Sequence, residues 1–258
     1  MRTTWIGFVA CVVVLGALES VASADETADR GRAILAEHGS AVVTVVSVLS
    51  VSYGGGEDER EMESNGTVID PNGLTVLSLG ALEPMRVFEK TRGVSGKATS
   101  KIVSLKILLD DDQEIQAEVV LRDDDLDLAF IRPVKKPDTP FPYVDLDDSD
   151  KPELLDEIVI LARLGKVTRR APSVMIERVE TIMHKPRDFF LVGLYRGRAT
   201  VCSPAFTLEG KFIGIGVYRA IKGAQGGGMG DNLVIGFVCA EDIKEGADQA
   251  PPFEDESS

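Results

Sequence analysis

Residues 133–142, Pro-Val-Lys-Lys-Pro-Asp-Thr-Pro-Phe-Pro, constrain the fold more than any other part of the chain. Each of the four prolines in this run lacks a main-chain N–H and holds φ at about −65°, so neither a helix nor a central strand passes through it. The run is a linker. The sequence on its two sides is of one kind: short segments rich in Val, Ile, Thr and Phe, bounded by Gly, Pro, Asn or Asp. Two sets of short strands, with no helical pattern alternating between them, argue for an all-β chain of paired antiparallel barrels and against a parallel sheet.

Before the linker, the spacing of Ala28, Ile34 and Leu35 predicts a short helix over Glu26–His38, within an N-terminal helical segment at 25–40 that Gly39 ends. A first barrel at 41–132 draws strands from Ala41–Val51, Asn65–Asp70, Leu74–Leu79, Ile102–Leu109, Glu114–Leu121 and Leu128–Arg132. Tyr53–Glu63, glycine-rich and acidic, reads as a hairpin loop. Pro71-Asn72-Gly73 reads as a tight turn and Glu89–Ser100 as an exposed loop. A second barrel at 143–245 draws on Tyr143–Asp145, Glu157–Ala162, Val174–Met183, Phe189–Tyr195, Ala205–Thr207, Phe212–Tyr218 and Leu233–Val238, and closes with a brief helix at Glu241–Glu245. The acidic, proline-bearing tail at 246–258 is expected to be disordered.

Arg2, the apolar run Trp5–Ala17 and the small-x-small site Ala22-Ser23-Ala24 read as a signal peptide at 1–24, cleaved before Asp25. The run is shorter than the roughly 20 residues a membrane span needs, so the mature protein is expected to be exported, periplasmic or extracellular, and not held in a membrane. Loss of Arg2 and Glu19 leaves the net charge at −14, a field that repels phosphate backbones and excludes nucleic acid as a partner. The mature chain keeps Cys202 and Cys239, read as free buried thiols, with a disulfide as the alternative in an oxidising compartment.

Residues 199–216 run Ala-Thr-Val-Cys-Ser-Pro-Ala-Phe-Thr-Leu-Glu-Gly-Lys-Phe-Ile-Gly-Ile-Gly. This frame is similar to the nucleophile loop of trypsin-like serine proteases, and three further segments resemble the HtrA-like (Deg-type) branch of that family in particular. They are Asn65–Leu77, Gln116–Ile131, and Leu146–Asp150 with Asp156–Ala162. The resemblance implies the trypsin-like fold, two six-stranded antiparallel β-barrels after a short N-terminal helix.

Such enzymes combine a nucleophilic serine, a histidine base and an orienting aspartate. The resemblance places Asp127 at the aspartate, Gly80 at the histidine and Val201 at the serine. Glycine has no base and valine no nucleophile. Ala199 and Val201 hold the oxyanion-loop positions, and Cys202 and Ser203 stand where the family has glycines. Cys202 and Ser203 are substitute nucleophiles only if a base lies beside them. The histidines present, His38 and His184, fall outside the aligned position and read as surface residues. Ser78 reads as a strand residue.

Gly226–Gly230 lacks the strand-to-helix context of a phosphate cradle and reads as a loop. The acidic runs Asp110–Asp112, Asp123–Asp125 and Asp147–Asp150 lack calcium-loop spacing, and no Cys/His cluster suits zinc, so neither metal nor cofactor is expected. The resulting expectation is an exported protease homologue without catalysis that binds extended peptides or unfolded proteins, in a regulatory or chaperone-like role. The alternatives are an active serine- or cysteine-type endopeptidase with a rearranged nucleophile, and a structural barrel protein that binds no peptide. The sequence leaves the oligomeric state open.

Overall fold

The computed structural model describes residues 26–53, 56–86, 98–110, 113–185, 187–193, 200–220 and 233–253. Helix α1 covers residues 26–38 and ends in a 3-10 turn at Gly39–Ala41. The strands are β1 (Val42–Tyr53), β2 (Gly56–Val68), β3 (Thr75–Ser78), β4 (Ala98–Leu108), β5 (Glu114–Asp123) and β6 (Leu128–Pro133), then β7 (Glu157–Arg163), β8 (Pro172–Met183), β9 (Phe189–Val192), β10 (Pro204–Thr207), β11 (Phe212–Ala220) and β12 (Leu233–Cys239). A one-turn helix, α2 (Leu79–Leu82), follows β3, and α3 (Ala240–Ala247) follows β12.

Two closed antiparallel barrels result, ordered β1-β2-β3-β6-β5-β4 and β10-β11-β12-β9-β8-β7. This architecture is consistent with the double-barrel fold of trypsin-like proteases. Alternation of side chains along each strand gives every barrel an inner and an outer apolar face. Val43, Val45, Val68, Leu77, Ile107 and Ile131 fill the first barrel, and Ile158, Ile160, Phe190, Ile213 and Phe237 fill the second. A third cluster joins the two: Val76, Leu128 and Phe130 of the first barrel pack with Val159, Phe206, Ile215 and Val217 of the second and Ile243 of α3.

The turn before β3 shows how local sequence sets this geometry. Asp70 Oδ1 accepts the N–H groups of Asn72 and Leu74 at 2.9 and 2.8 Å. Gly73 takes the left-handed φ of 86° that a side chain would resist. The proline-bearing connection is packed onto the first barrel, because Phe141 N–H donates to Pro71 O and Val144 N–H to Val68 O. Tyr143–Asp145, expected as a strand, therefore makes an isolated contact in place of a ladder.

Two further expectations need correction. Tyr53–Glu63 is not a loop: β1 and β2 pair continuously from Val42↔Thr67 to Tyr53↔Gly56. Its acids mark a strand with no core beneath it, so no apolar alternation was imposed. Residues 246–253 do not form a structureless tail. Gly246 and Ala247 complete α3, and the guanidinium of buried Arg132 donates to Pro251 O and lies 4.8 Å from the centre of the Phe253 ring. The expected signal peptide at 1–24, Glu89–Lys97 of the expected exposed loop, and residues 254–258 lie outside the described residues.

Candidate functional site at the barrel junction

β3 ends at Ser78, whose extended backbone and hydroxyl cap α2: Ser78 Oγ accepts the Ala81 N–H at 3.2 Å. Opposite lies the β5–β6 turn, closed by Asp123 Oδ1 accepting from the N–H groups of Asp125 and Leu126. Asp127, at φ 60°, ends that turn, and its carbonyl accepts the Leu79 N–H at 2.8 Å. The conformation turns the Asp127 carboxylate inward. Oδ1 accepts from Gly80 N at 2.8 Å, while Oδ2 accepts from Ser78 Oγ at 2.5 Å and from Tyr218 N at 2.9 Å. The first two donors belong to the first barrel and the third to β11 of the second. A buried carboxylate needs such donors, and here they also tie the two barrels together.

Residues 200–203 form the other side of the junction. Cys202 N–H donates to Gly216 O at 2.7 Å, and Gly216 N–H donates to Ser203 O at 3.0 Å. A Cβ at Gly216 would stand 2.0 Å from Thr200 O, so the loop can lie this close to β11 only against glycine. Cys202 adopts φ 64°, a left-handed conformation in which the side chain costs about 1 kcal/mol. Its Sγ accepts the Ser78 N–H at 3.2 Å. Ser203 Oγ accepts from Asn65 Nδ2 at 3.1 Å, and Asn65 Oδ1 accepts the Arg163 N–H at 3.0 Å, a second polar tie between barrels. The Val201 side chain packs in the first barrel's cluster.

Burial pushes the Cys202 thiol up to about 12. The Ser78 N–H lowers it against that burial, and the Asp127 charge adds the smallest contribution, a raise. The thiol is therefore protonated at neutral pH, the opposite of an activated cysteine. Burial likewise pushes Cys239 up to about 12, and both cysteines are free and buried. Arg219 supplies positive charge near Asp127. Its guanidinium lies 3.9 Å from the Phe189 ring centre and donates to Asp125 O, and burial lowers its pKa against the pull of the surrounding aspartates.

The structure thus brings Ser78, Gly80, Asp127, Cys202 and Ser203 to one buried junction. No histidine side chain completes it. His38 is not a free surface residue, because its ring stacks on Phe206 at 4.5 Å and 9°. His184 is exposed and faces Asp188 at 3.0 Å. Asn65, not a base, meets Ser203. Ala199, Asp111, Asp112 and Gly226–Gly230 lie outside the described residues. The other acidic turns hold lysines and an arginine, Asp147 with Lys244, Asp148 with Lys211, and Asp124 with Arg86. Among the described residues no group of three or more His, Cys, Asp or Glu is placed to hold a metal ion.

Sequence reasoning missed Ser78, Tyr218 and Asn65 as partners at the junction. A serine before Leu79-Gly80-Ala81 is an N-cap signal, but its second bond to Asp127 spans 49 residues. Tyr218 acts through its main chain, which carries no residue signature at all. No family model matches the chain, and a search of curated proteins finds no match.

Proposed function

We propose that this protein is an exported, non-catalytic relative of the HtrA-like proteases, a pseudoprotease that holds extended peptides or unfolded chains without cleaving them. One observation carries the reading: the Asp127 carboxylate is buried and bonded to Ser78, Gly80 and Tyr218, where an active member would hold a histidine. Val201 at the serine position and the protonated, buried Cys202 thiol support it, since neither attacks a carbonyl.

Peptide binding has a backbone rationale. β10 pairs with β11 only between Phe212 and Ile215, and Val201 adds one bridge at Gly216. Val217–Ala220 pair with β12 on one side, and among the described residues no strand pairs their other side. The Tyr218 N–H on that side already donates to Asp127, so an extended segment added there would take its main-chain hydrogen bonds from the Tyr218 carbonyl and from Ala220, with little demand on its side chains.

The test treats the purified mature protein with fluorophosphonate and iodoacetamide probes and incubates it with an unfolded substrate such as reduced carboxymethylated α-lactalbumin. Binding without cleavage or labelling is the expected outcome. Cleavage with labelling that disappears in Cys202→Ala or Ser203→Ala sinks the proposal in favour of a rearranged protease. Absence of both binding and cleavage leaves a structural barrel protein. Export is tested separately, by fractionation and by N-terminal sequencing, with Asp25 as the expected first residue.

A further inference from the structure

The β1–β2 hairpin extends well beyond the first barrel. β1 covers one side of β2 from Gly56 to Thr67, whereas β3 covers the other side only at Thr67 and Val68. Farther out, side chains of β2 meet the second barrel at Asn65 and Glu63. Among the described residues, no strand pairs the outer edge of β2 over residues 57–61.

The direction of the main chain on that edge follows from its far end. Ile69 N–H donates to Leu74 O on the β3 side, and Val68 O accepts from Val144 on the opposite side. Alternation then turns the N–H and C=O groups of the odd-numbered residues of β2 toward the open edge. Those residues include Glu57, Glu59, Glu61 and Glu63. Their side chains also share one face of the sheet, roughly 7 Å apart along the strand. The open edge therefore offers main-chain hydrogen bonds and a carboxylate at every second residue.

The protein already shows what such a ladder recognises. At its barrel end, Glu63 accepts Arg170 Nη2 at 2.5 Å and the Lys166 N–H at 2.9 Å, and the Lys166 ammonium stands 3.9 Å from Glu61. These groups come from the β7–β8 loop. At the outer end, the Glu57 carboxylate accepts the Ser50 hydroxyl, and among the described residues no cation pairs with Glu57 or Glu59.

We propose that the edge of β2 at residues 57–61 is a docking strand for extended peptides with Lys or Arg at alternate positions. Such a peptide continues the sheet and sets its cations directly opposite the glutamates, about 4.5–5.5 Å apart between Cβ atoms. A second copy of the chain is a poor occupant, because edge-to-edge pairing would set glutamate against glutamate. The site is separate from the barrel junction and stands whether or not the junction is catalytic.

Fluorescence anisotropy with the full mature chain and labelled acetyl-Lys-Val-Lys-Thr-Lys-Val-amide tests this. The combined change Glu57→Gln, Glu59→Gln and Glu61→Gln should weaken binding about tenfold or more without shifting the thermal midpoint, since these side chains are exposed. Of two peptides with alternate amides N-methylated, in the two possible registers, one should lose binding by a similar factor although its charge is unchanged. Absence of binding to the parent peptide overturns the proposal, as does equal binding to the glutamine variant. Equal binding of the parent and both N-methylated peptides also overturns it, because attraction would then be diffuse charge. Peptide-independent self-association strengthened by the same variant would make the edge a contact between copies instead.

Discussion

The Ser78 hydroxyl donates to Asp127 Oδ2 across 2.5 Å, with both residues buried where the two barrels meet. In a protease of this architecture an aspartate orients a histidine; here it accepts hydrogen bonds from its own fold. The carboxylate fastens α2, the β5–β6 turn and β11 to one another.

Asp127→Ala should therefore destabilise the protein by about 3 kcal/mol or more, because the Ser78, Gly80 and Tyr218 donors lose a buried partner, each at about 1–3 kcal/mol. Ser78→Ala should cost about 1–2 kcal/mol through its cap and its bond to Asp127. Guanidinium unfolding of the two variants and the double variant measures the coupling. A loss below about 1 kcal/mol for Asp127→Ala would contradict the assigned role.

The two thiols predict an alkaline limit to stability. Both are pushed up to about 12 when folded, while an unfolded cysteine titrates near 8.5. Above about pH 8.5 the unfolded chain releases protons that the folded chain keeps, so stability is full below that pH and falls as pH rises toward 12. The unfolding midpoint between pH 8 and 11 should drop more steeply for the native sequence than for Cys202→Ser with Cys239→Ser. Iodoacetamide at pH 8 should label neither cysteine until denaturant is added.

Gly216→Ala should prevent the loop at 200–203 from seating on β11, since the new Cβ would stand 2.0 Å from Thr200 O. The expected cost is about 3 kcal/mol or more, or failure to fold. Retention of the native unfolding midpoint in this variant would refute the close approach.

Residues 251–253 should contribute measurable stability. Truncation after Ala250 removes both the Pro251 carbonyl and the Phe253 ring from the buried Arg132 guanidinium. A loss of about 1–2 kcal/mol is expected, with Phe253→Ala alone accounting for about 0.5–1 kcal/mol. An unchanged midpoint after truncation would show that the tail adds nothing.

Gly80→His combined with Val201→Ser should not produce peptide hydrolysis. Ser78, Gly80 and Tyr218 already take most of the acceptor sites of the Asp127 carboxylate, and position 80 is buried. Turnover of a peptide substrate by this variant would show that the junction accepts a working imidazole.

Much of the architecture was readable because local chemistry repeats along the chain. Pro71-Asn72-Gly73 gave its turn, and Val-rich β1, Ile158–Leu161 and Phe212–Val217 gave their strands, since an apolar run between turn residues has few other ways to be buried. The acidic outer part of β2 was misread as a loop. A strand with solvent on both faces carries no alternation, and only pairing with β1 reveals it. The region after α3 was misread for a similar reason: Pro251 and Phe253 are ordered by Arg132, 119 residues earlier than Pro251.

The sequence by itself determined the two sets of short antiparallel strands, the proline-bearing connection between them and the absence of histidine and serine side chains at positions 80 and 201. Those follow from residue identity and short-range pattern. Only the tertiary structure decided what Asp127 does, because its Ser78 and Tyr218 partners arrive from distant strands and one of them acts through the main chain. It also decided that the Cys202 thiol stays protonated: its burial and its position beside the nucleophile site were readable in the sequence, whereas its acidity depends on the desolvation and charge that surround it once the barrels close.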